Sequence, residues 1–285
     1  MKKGIVIIAH NSRDIDYAKM AIISAKFAKK NLRLPVSLIT DESTKEWMKT
    51  SKLMSTAVDV FENIISVPRP VPGNQRILHD GTTSSTVPFL NSNRSSVWDY
   101  TPYEKTLMID SDFLIMTDVL NNYWEINQDV LLGQRFNDIQ GDRKGYLDDW
   151  ISETGVHLYW ATTVMFTKNE NSRIFFKLID FIKDNYKFYA DLFRFDPRQY
   201  RNDITFSIAY HILNGFEFNR YSLPAILTLQ GKDILEKIYE NGRMIFSIKY
   251  WNDDLSFYLA SIKDQDIHIM NKQSIIRNYE GLINL

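Results

Sequence analysis

The chain opens with a short apolar run at Gly4–Ala9, ended by His10 and Asn11. A β-branched run without polar alternation is the pattern of a strand buried on both faces. In the next segment, Asp14–Asn31, Met20, Ile23 and Phe27 recur at helical spacing while the lysines fall mainly on another face. That spacing predicts an amphipathic helix. Leu34–Ser43 reads as a second strand ending in polar residues, which makes a βαβ unit with a right-handed crossover. A helix over Thr44–Met54 and a third strand within Val60–Pro68 follow.

From Pro68 to Ser96 the pattern dissolves into Pro, Gly, Ser, Thr and Asn. A loop of that length in a compact domain is functional, partly helical or mobile, so a lid and a disordered surface insertion are both open. Periodicity returns at Lys105–Met116, a strand and its continuation, and at Asp129–Phe136. Asn137–Gly155 is polar and loop-like, and His157–Phe166 is a strand of aromatic character. Thr167-x-x-Glu170 has the spacing of a capping box before a helix over Ser172–Tyr186. A second helix starts near Asn202 or Asp203 and ends at Gly215, a good residue just past a helix end. The remainder alternates short strands, Ser222–Leu229 and Arg243–Trp251, with turns, and finishes in Asp266–Leu282. No internal repeat or low-complexity block is present. The expected architecture is one α/β domain. Residues 1–215 form a Rossmann-like core, and 216–285 form a C-terminal extension containing strands.

Composition narrows the function classes. With 34 basic and 35 acidic side chains the net charge is −1, so no global attraction to nucleic acid or anionic membrane is expected. Cysteine is absent, which excludes disulfides and zinc–thiolate sites and suggests a reducing, cytoplasmic setting. The Gly4–Ala9 run is shorter than a signal-peptide core, and no stretch approaches the roughly 20 apolar residues of a membrane span.

The informative anomaly lies in Glu104–Asp118, where Asp110 and Asp112 interrupt an otherwise apolar run. An ionised carboxylate in a core costs several kcal/mol unless it is paired, hydrogen-bonded or metal-bound. Alternation along a strand would put both carboxylates on one face with Ser111 opposite. Two hard oxygen donors at a strand end can hold a divalent ion and leave room for phosphate oxygens. A turn with solvated aspartates is the plainer reading of the triplet. The apolar flanks place it at the rim of a buried strand.

Tyr103, Lys105, the apolar Thr106–Ile109, Asp110-Ser111-Asp112 and Phe113–Met116 resemble the Asp-x-Asp region of nucleotide-sugar glycosyltransferases of the GT-A fold. Glycosyltransferase family eight, glycogenin-like and galactosyltransferase-like, is the nearest in pattern. Glycosyltransferase-like proteins encoded by tailed phages are similar too. The resemblance implies a mixed sheet flanked by helices and a donor that is a nucleotide diphosphate sugar, usually a UDP-sugar. It also implies Mn²⁺ or Mg²⁺ on Asp110 and Asp112, and transfer with retention. By the same resemblance, Ala9, His10, Asn11 and Tyr17 would hold the base. His268 would be a third metal ligand, Lys272 would touch the donor diphosphate, and Ser111 would belong to the donor-binding residues. Arg94 would touch the donor, and Asp203 would sit near the transferred sugar. Asp203 is also a natural helix N-cap or first-turn residue, stabilised by the helix dipole. The family's glycine and Lys-Pro-Trp around the His268 segment are absent here.

Two other functions compete. A sugar-phosphate nucleotidylyltransferase shares such a sheet but needs a glycine-rich loop after the first strand, and Ala9–Tyr17 contains no glycine. A non-catalytic nucleotide-sugar-binding protein would keep the fold without turnover. For the acceptor, a glycan, a protein hydroxyl, a small glycoside and a modified DNA base all remain. His157, Tyr159 and Trp160 are either a sugar or acceptor wall or a buried strand face. Arg194, Arg198 and Arg201, interleaved with Phe193, Phe195 and Tyr200, form either a basic aromatic patch for nucleic acid or a solvated turn.

Overall fold

A computed structural model describes every residue except 72, 142, 144–148, 154, 218–220 and 251–255. Parts of the polar 137–155 stretch and the last residue of the expected 243–251 strand therefore lie outside the described residues. The expected βαβ unit is present as β1 (Lys3–Ile8), α1 (Tyr17–Leu32) and β2 (Val36–Asp41), with the two strands parallel. All of β2 and all of β1 past Lys3 are buried, which is why neither strand alternates in sequence. The Asp16 carboxylate accepts the Lys19 N–H and starts α1. The single helix expected over 44–54 is two, α2 (Glu42–Thr50) and α3 (Met54–Val60). Lys52, at φ 62°, breaks them apart. β3 (Asn63–Val67) then pairs parallel with β2.

The Pro- and Ser-rich stretch is folded. β4 (Gln75–Asp80) and β5 (Thr83–Pro88) form a hairpin, with Gly81 at φ 57° in its turn. Leu78 and Val87 anchor the hairpin in the core. A 3-10 turn at Arg94–Ser96 and α4 (Val97–Tyr100) complete the segment. β6 (Lys105–Ile109) pairs parallel with β1, but the expected continuation is a separate strand, β7 (Phe113–Leu114), in another sheet. The 129–136 strand likewise splits into β8 (Val130–Gly133) and β9 (Phe136–Asp138). β10 (Trp160–Thr167) runs antiparallel to both β6 and β8. The central sheet is thus mixed, in the order β3-β2-β1-β6-β10-β8.

Three helices follow: α5 (Glu170–Asp184), α6 (Tyr186–Phe193) and α7 (Asn202–Leu213). The capping box lies two residues later than expected. Asn169 accepts the Ser172 N–H, and the Ser172 hydroxyl accepts the Asn169 N–H, because Thr167 is still part of β10. α1 packs on β1 and β2, while α5 and α7 stack against the β10 side. Gly215, at φ 63°, follows α7. The last part of the chain supplies β11 (Ile226–Leu229), β12 (Ile234–Ile238), β13 (Arg243–Lys249), β14 (Phe257–Lys263), β15 (Ile267–Ile269), α8 (Lys272–Arg277) and α9 (Tyr279–Ile283). β12-β13-β14 is an antiparallel meander. β15 and β11 join β7 and β9 in a second sheet, ordered β7-β15-β11-β9, that ties the C-terminal segment to the core.

Candidate functional site

Asp110 follows the last residue of β6, and the chain turns there instead of continuing as a strand. The Phe113 N–H donates to the Asp110 carbonyl at 3.1 Å, and the Asp110 N–H to the Thr162 carbonyl of β10 at 3.0 Å. A turn, not strand alternation, therefore brings the carboxylates together, and Ser111 lines the same cleft as both of them. The antiparallel pairing of β15 with β7 sets His268 opposite Phe113. His268 Nε2 then lies 3.3 Å from Asp112 Oδ1. One ligand atom from each of Asp110, Asp112 and His268 falls within 4.8 Å of the others. Two carboxylates and an imidazole in that arrangement suit a divalent cation that accepts both oxygen and nitrogen.

Cations surround the pair. Arg94, reaching from the 3-10 turn, is buried and ion-paired to Asp110 Oδ1 at 3.0 Å. Lys272, the first residue of α8, is buried with its Nζ against Asp112 Oδ2. Asn271 starts that helix by accepting the Ser274 N–H. Although burial acts the other way, the charges and hydrogen bonds of Lys272 and His268 hold Asp112 well below the usual carboxylate range. Burial outweighs the Arg94 charge at Asp110 and pushes that carboxyl upward. The two aspartates thus differ in environment although they are two residues apart. Burial, with help from the Arg76 charge, pulls Lys272 downward.

The cleft has a volume of about 390 Å³ and runs from Ile8 and Tyr17 past Asp110–Asp112 to Trp160 and Asp203. Its order follows the strand order β1-β6-β10, at about 4.8 Å per strand. Asp203 does not cap its helix: Arg201 occupies the N-cap position, and Asp203 lies in the first turn. The Asp203 carboxylate instead accepts the Ala161 N–H of β10 at 3.0 Å and faces Arg201 at 3.5 Å. The Arg201 guanidinium lies 5.7 Å from the Trp160 ring centre. A second cleft, lined by Trp150, Glu153, Phe195 and their neighbours, shares Gln199 and Arg201 with the first and so opens at the Asp203 end.

Ala9, His10 and Asn11 sit outside the cleft lining and are committed to internal bonds. The Ala9 carbonyl accepts the Thr40 hydroxyl, and His10 Nδ1 lies 3.0 Å from Asp41 Oδ2. The Asn11 side chain accepts the Ala18 N–H at 2.8 Å. Tyr17 does line the cleft. Of the aromatic stretch, Trp160 lines the cleft, Tyr159 packs on Tyr210 and His211, and His157 stacks on Trp150. In the Arg-rich turn, Arg198 is spent on Asp196, Phe193 and Tyr200 are buried, and Phe195 packs on Tyr186. Sequence reasoning missed Arg76, carried on β4, along with Asn91, Thr162 and Gln199 in the lining. Arg76 carried no signal beyond its charge, because only the hairpin brings it to the cleft.

No family model matches the chain, and no curated protein matches it. Solved structures similar to it include the galactosyltransferase LgtC in complex with donor and acceptor sugar analogues. The identity is 15%, covering 72% of this chain and 70% of that one, with a TM-score of 0.43. Mouse xyloside xylosyltransferase 1 matches at 8% identity over 78% of this chain and 85% of that one, with a TM-score of 0.43. The inositol-1-phosphate CTP transferase of T. maritima matches at 10% identity over 75% and 82%, with a TM-score of 0.40. All three are loose likenesses.

Proposed function

We propose that this protein is a metal-dependent glycosyltransferase that takes a sugar from a nucleoside diphosphate sugar. One observation carries the reading: Asp110, Asp112 and His268 converge within 4.8 Å, with Arg94 and Lys272 on the same carboxylates, in one cleft. Asp110, Asp112 and His268 would hold Mn²⁺ or Mg²⁺, which supplies Lewis-acid stabilisation of the charge that builds on the departing diphosphate. Arg94 and Lys272 already offset the two carboxylates, so a bound divalent ion leaves this part of the cleft positive. That is the potential a diphosphate requires.

The remaining roles follow the order of the cleft. Tyr17, at the β1 end, faces the nucleoside. Ser111 lies between the two aspartates, beside the diphosphate. Asp203 is held by the Ala161 N–H and faces the sugar, with Trp160 as an apolar wall. Lys272 is within reach of a phosphate oxygen once it leaves Asp112 and adds charge to the leaving group. The anomeric C–O bond to the diphosphate breaks, the acceptor hydroxyl oxygen bonds to that carbon, and the departing diphosphate takes the hydroxyl proton. The family resemblance implies retention and a UDP-sugar. The second cleft, meeting the first at Gln199 and Arg201, gives an acceptor a path to the sugar end.

Donor hydrolysis tests the proposal without knowledge of the acceptor. A panel of nucleotide sugars incubated with Mn²⁺ is expected to release nucleoside diphosphate from one of them. Asp112→Asn is expected to reduce that rate about a hundredfold or more, since Lewis-acid stabilisation is worth several kcal/mol. A rate unchanged by the substitution or by chelator refutes the metal site. Pyrophosphate formed from nucleotide triphosphate and sugar phosphate would identify a nucleotidylyltransferase instead.

A further inference from the structure

Among the described residues, four arginine and lysine side chains line the main cleft: Arg76, Arg94, Arg201 and Lys272. Three of them face a carboxylate. Arg94 is 3.0 Å from Asp110, Arg201 is 3.5 Å from Asp203, and Lys272 is against Asp112. Arg76 differs. Its Nη1 reaches only the Tyr17 hydroxyl, at 3.5 Å, and its guanidinium lies 5.1 Å from the centre of the Phe89 ring. Its Nε is shut away from solvent with no hydrogen-bond partner. A guanidinium whose Nε is shut away and which has no carboxylate in contact among the described residues is costly to desolvate and calls for an anion. Tyr17 does not serve as one, because burial pushes its hydroxyl pKa upward and keeps it neutral.

The placement of Arg76 is fixed rather than incidental. Arg277 of α8 makes a two-pronged ion pair with Asp80 at the end of β4, at 2.6 and 2.8 Å, and the Asn271 side chain donates to the same carboxylate at 3.3 Å. The hairpin is thereby clasped to the helix that carries Lys272. Arg76 and Lys272 approach the cleft as parts of one joined unit, close enough that each acts on the other's charge. The Asp110 and Asp112 charges reach Arg76 as well.

We infer that Arg76 is a ligand of the donor's diphosphate, closing on it from the β4–β5 hairpin. The inference rests on the proposed donor chemistry and adds a specificity-determining residue to it. A planar guanidinium offers two parallel N–H donors to two phosphate oxygens, a geometry that an ammonium lacks. An uncharged nucleoside would gain nothing from it.

The test is calorimetric titration of the whole chain with Mn²⁺ present, using UDP, CDP, GDP and ADP and the four matching nucleosides. The native chain is expected to bind one diphosphate far more tightly than its nucleoside. Arg76→Gln is expected to weaken that diphosphate about 10- to 100-fold while leaving the nucleoside unchanged, and Arg76→Lys to fall between. A merely structural arginine would weaken both ligands alike. Should Arg76→Gln fail to fold, Arg76→Lys against the nucleoside control carries the same distinction. Diphosphate affinity equal to native in both variants overturns the assignment and leaves the donor chemistry standing. A native chain that binds none of the four diphosphates overturns both.

Discussion

Gly4 shows how closely this core is fitted. A Cβ added there would lie 2.4–2.5 Å from the ring atoms of Tyr103, which itself is 1% exposed. The ring cannot retreat freely, because its hydroxyl shares a 2.7 Å hydrogen bond with Ser37 of β2. Burial pushes that hydroxyl's pKa up to about 12, so the bond persists at any ordinary pH. Gly4→Ala is expected to destabilise the fold by about 1–3 kcal/mol through overpacking. The check is a lower urea midpoint with an unchanged slope. At this scale the sequence is legible only where chemistry contradicts its surroundings. Asp110 and Asp112 stand out because their neighbours are apolar. His268 looks like any histidine near a chain end until β15 pairs with β7 and delivers it to Asp112. Arg76 looks like any loop arginine until β4 exists.

Elements meet at Arg143, whose guanidinium bridges two buried carboxylates. It bonds Asp138 at 2.9 and 3.1 Å and Asp233 at 2.7 Å from each terminal nitrogen. Asp233 in turn accepts the N–H groups of Gln230 and Lys249. The cluster therefore joins the end of β9, the loop before β12 and the end of β13. Arg143→Met is expected to cost about 3–5 kcal/mol, because it leaves two carboxylates buried without a counter-charge. Arg143→Met combined with Asp138→Asn and Asp233→Asn is expected to recover part of the loss, read as melting temperatures of the single and triple variants. Nothing in the chain's periodicity announces this clasp, since Arg143 and Asp233 are 90 residues apart. Periodicity did reveal β1, α1, β2 and β6, whose burial is continuous over five or more residues. It failed for α8 and α9, helices of six and five residues, too short to complete two turns of pattern. It also failed at Gln134–Arg135, where the chain leaves one sheet for another within two residues of Gly133 and without a polar loop to mark the step.

For the whole molecule, the mixed sheet in the order β3-β2-β1-β6-β10-β8 puts the cleft where the first strands end, and helices close over the β10 side. That side holds a titratable group whose effect on global stability has a definite sign. His211 of α7 is buried, lies near the Tyr159 and Phe216 rings, and donates from Nε2 to the His157 carbonyl at 2.9 Å. Burial, aided by the charge of His157, pulls its pKa below the ordinary 6.5, and the backbone bond offsets only part of this. As pH falls through about 6.5, the unfolded chain takes up a proton here while the folded chain does not. The unfolded state then binds more protons, so stability falls with pH until the folded-state value is passed, where the loss levels off. His79, also pulled down by burial, acts in the same direction. Carboxylates held low, such as Asp112, begin to lose their contribution only below about pH 4, outside this window. The His211 contribution to the melting temperature is therefore expected to decline from about pH 7.5 to 5.5, against the opposite drift of Asp110, which burial pushes upward. His211→Gln keeps an N–H donor for the His157 carbonyl and removes the titration, so its decline is expected to be shallower. Parallel curves for the two proteins would show that His211 is not pulled down in the folded state.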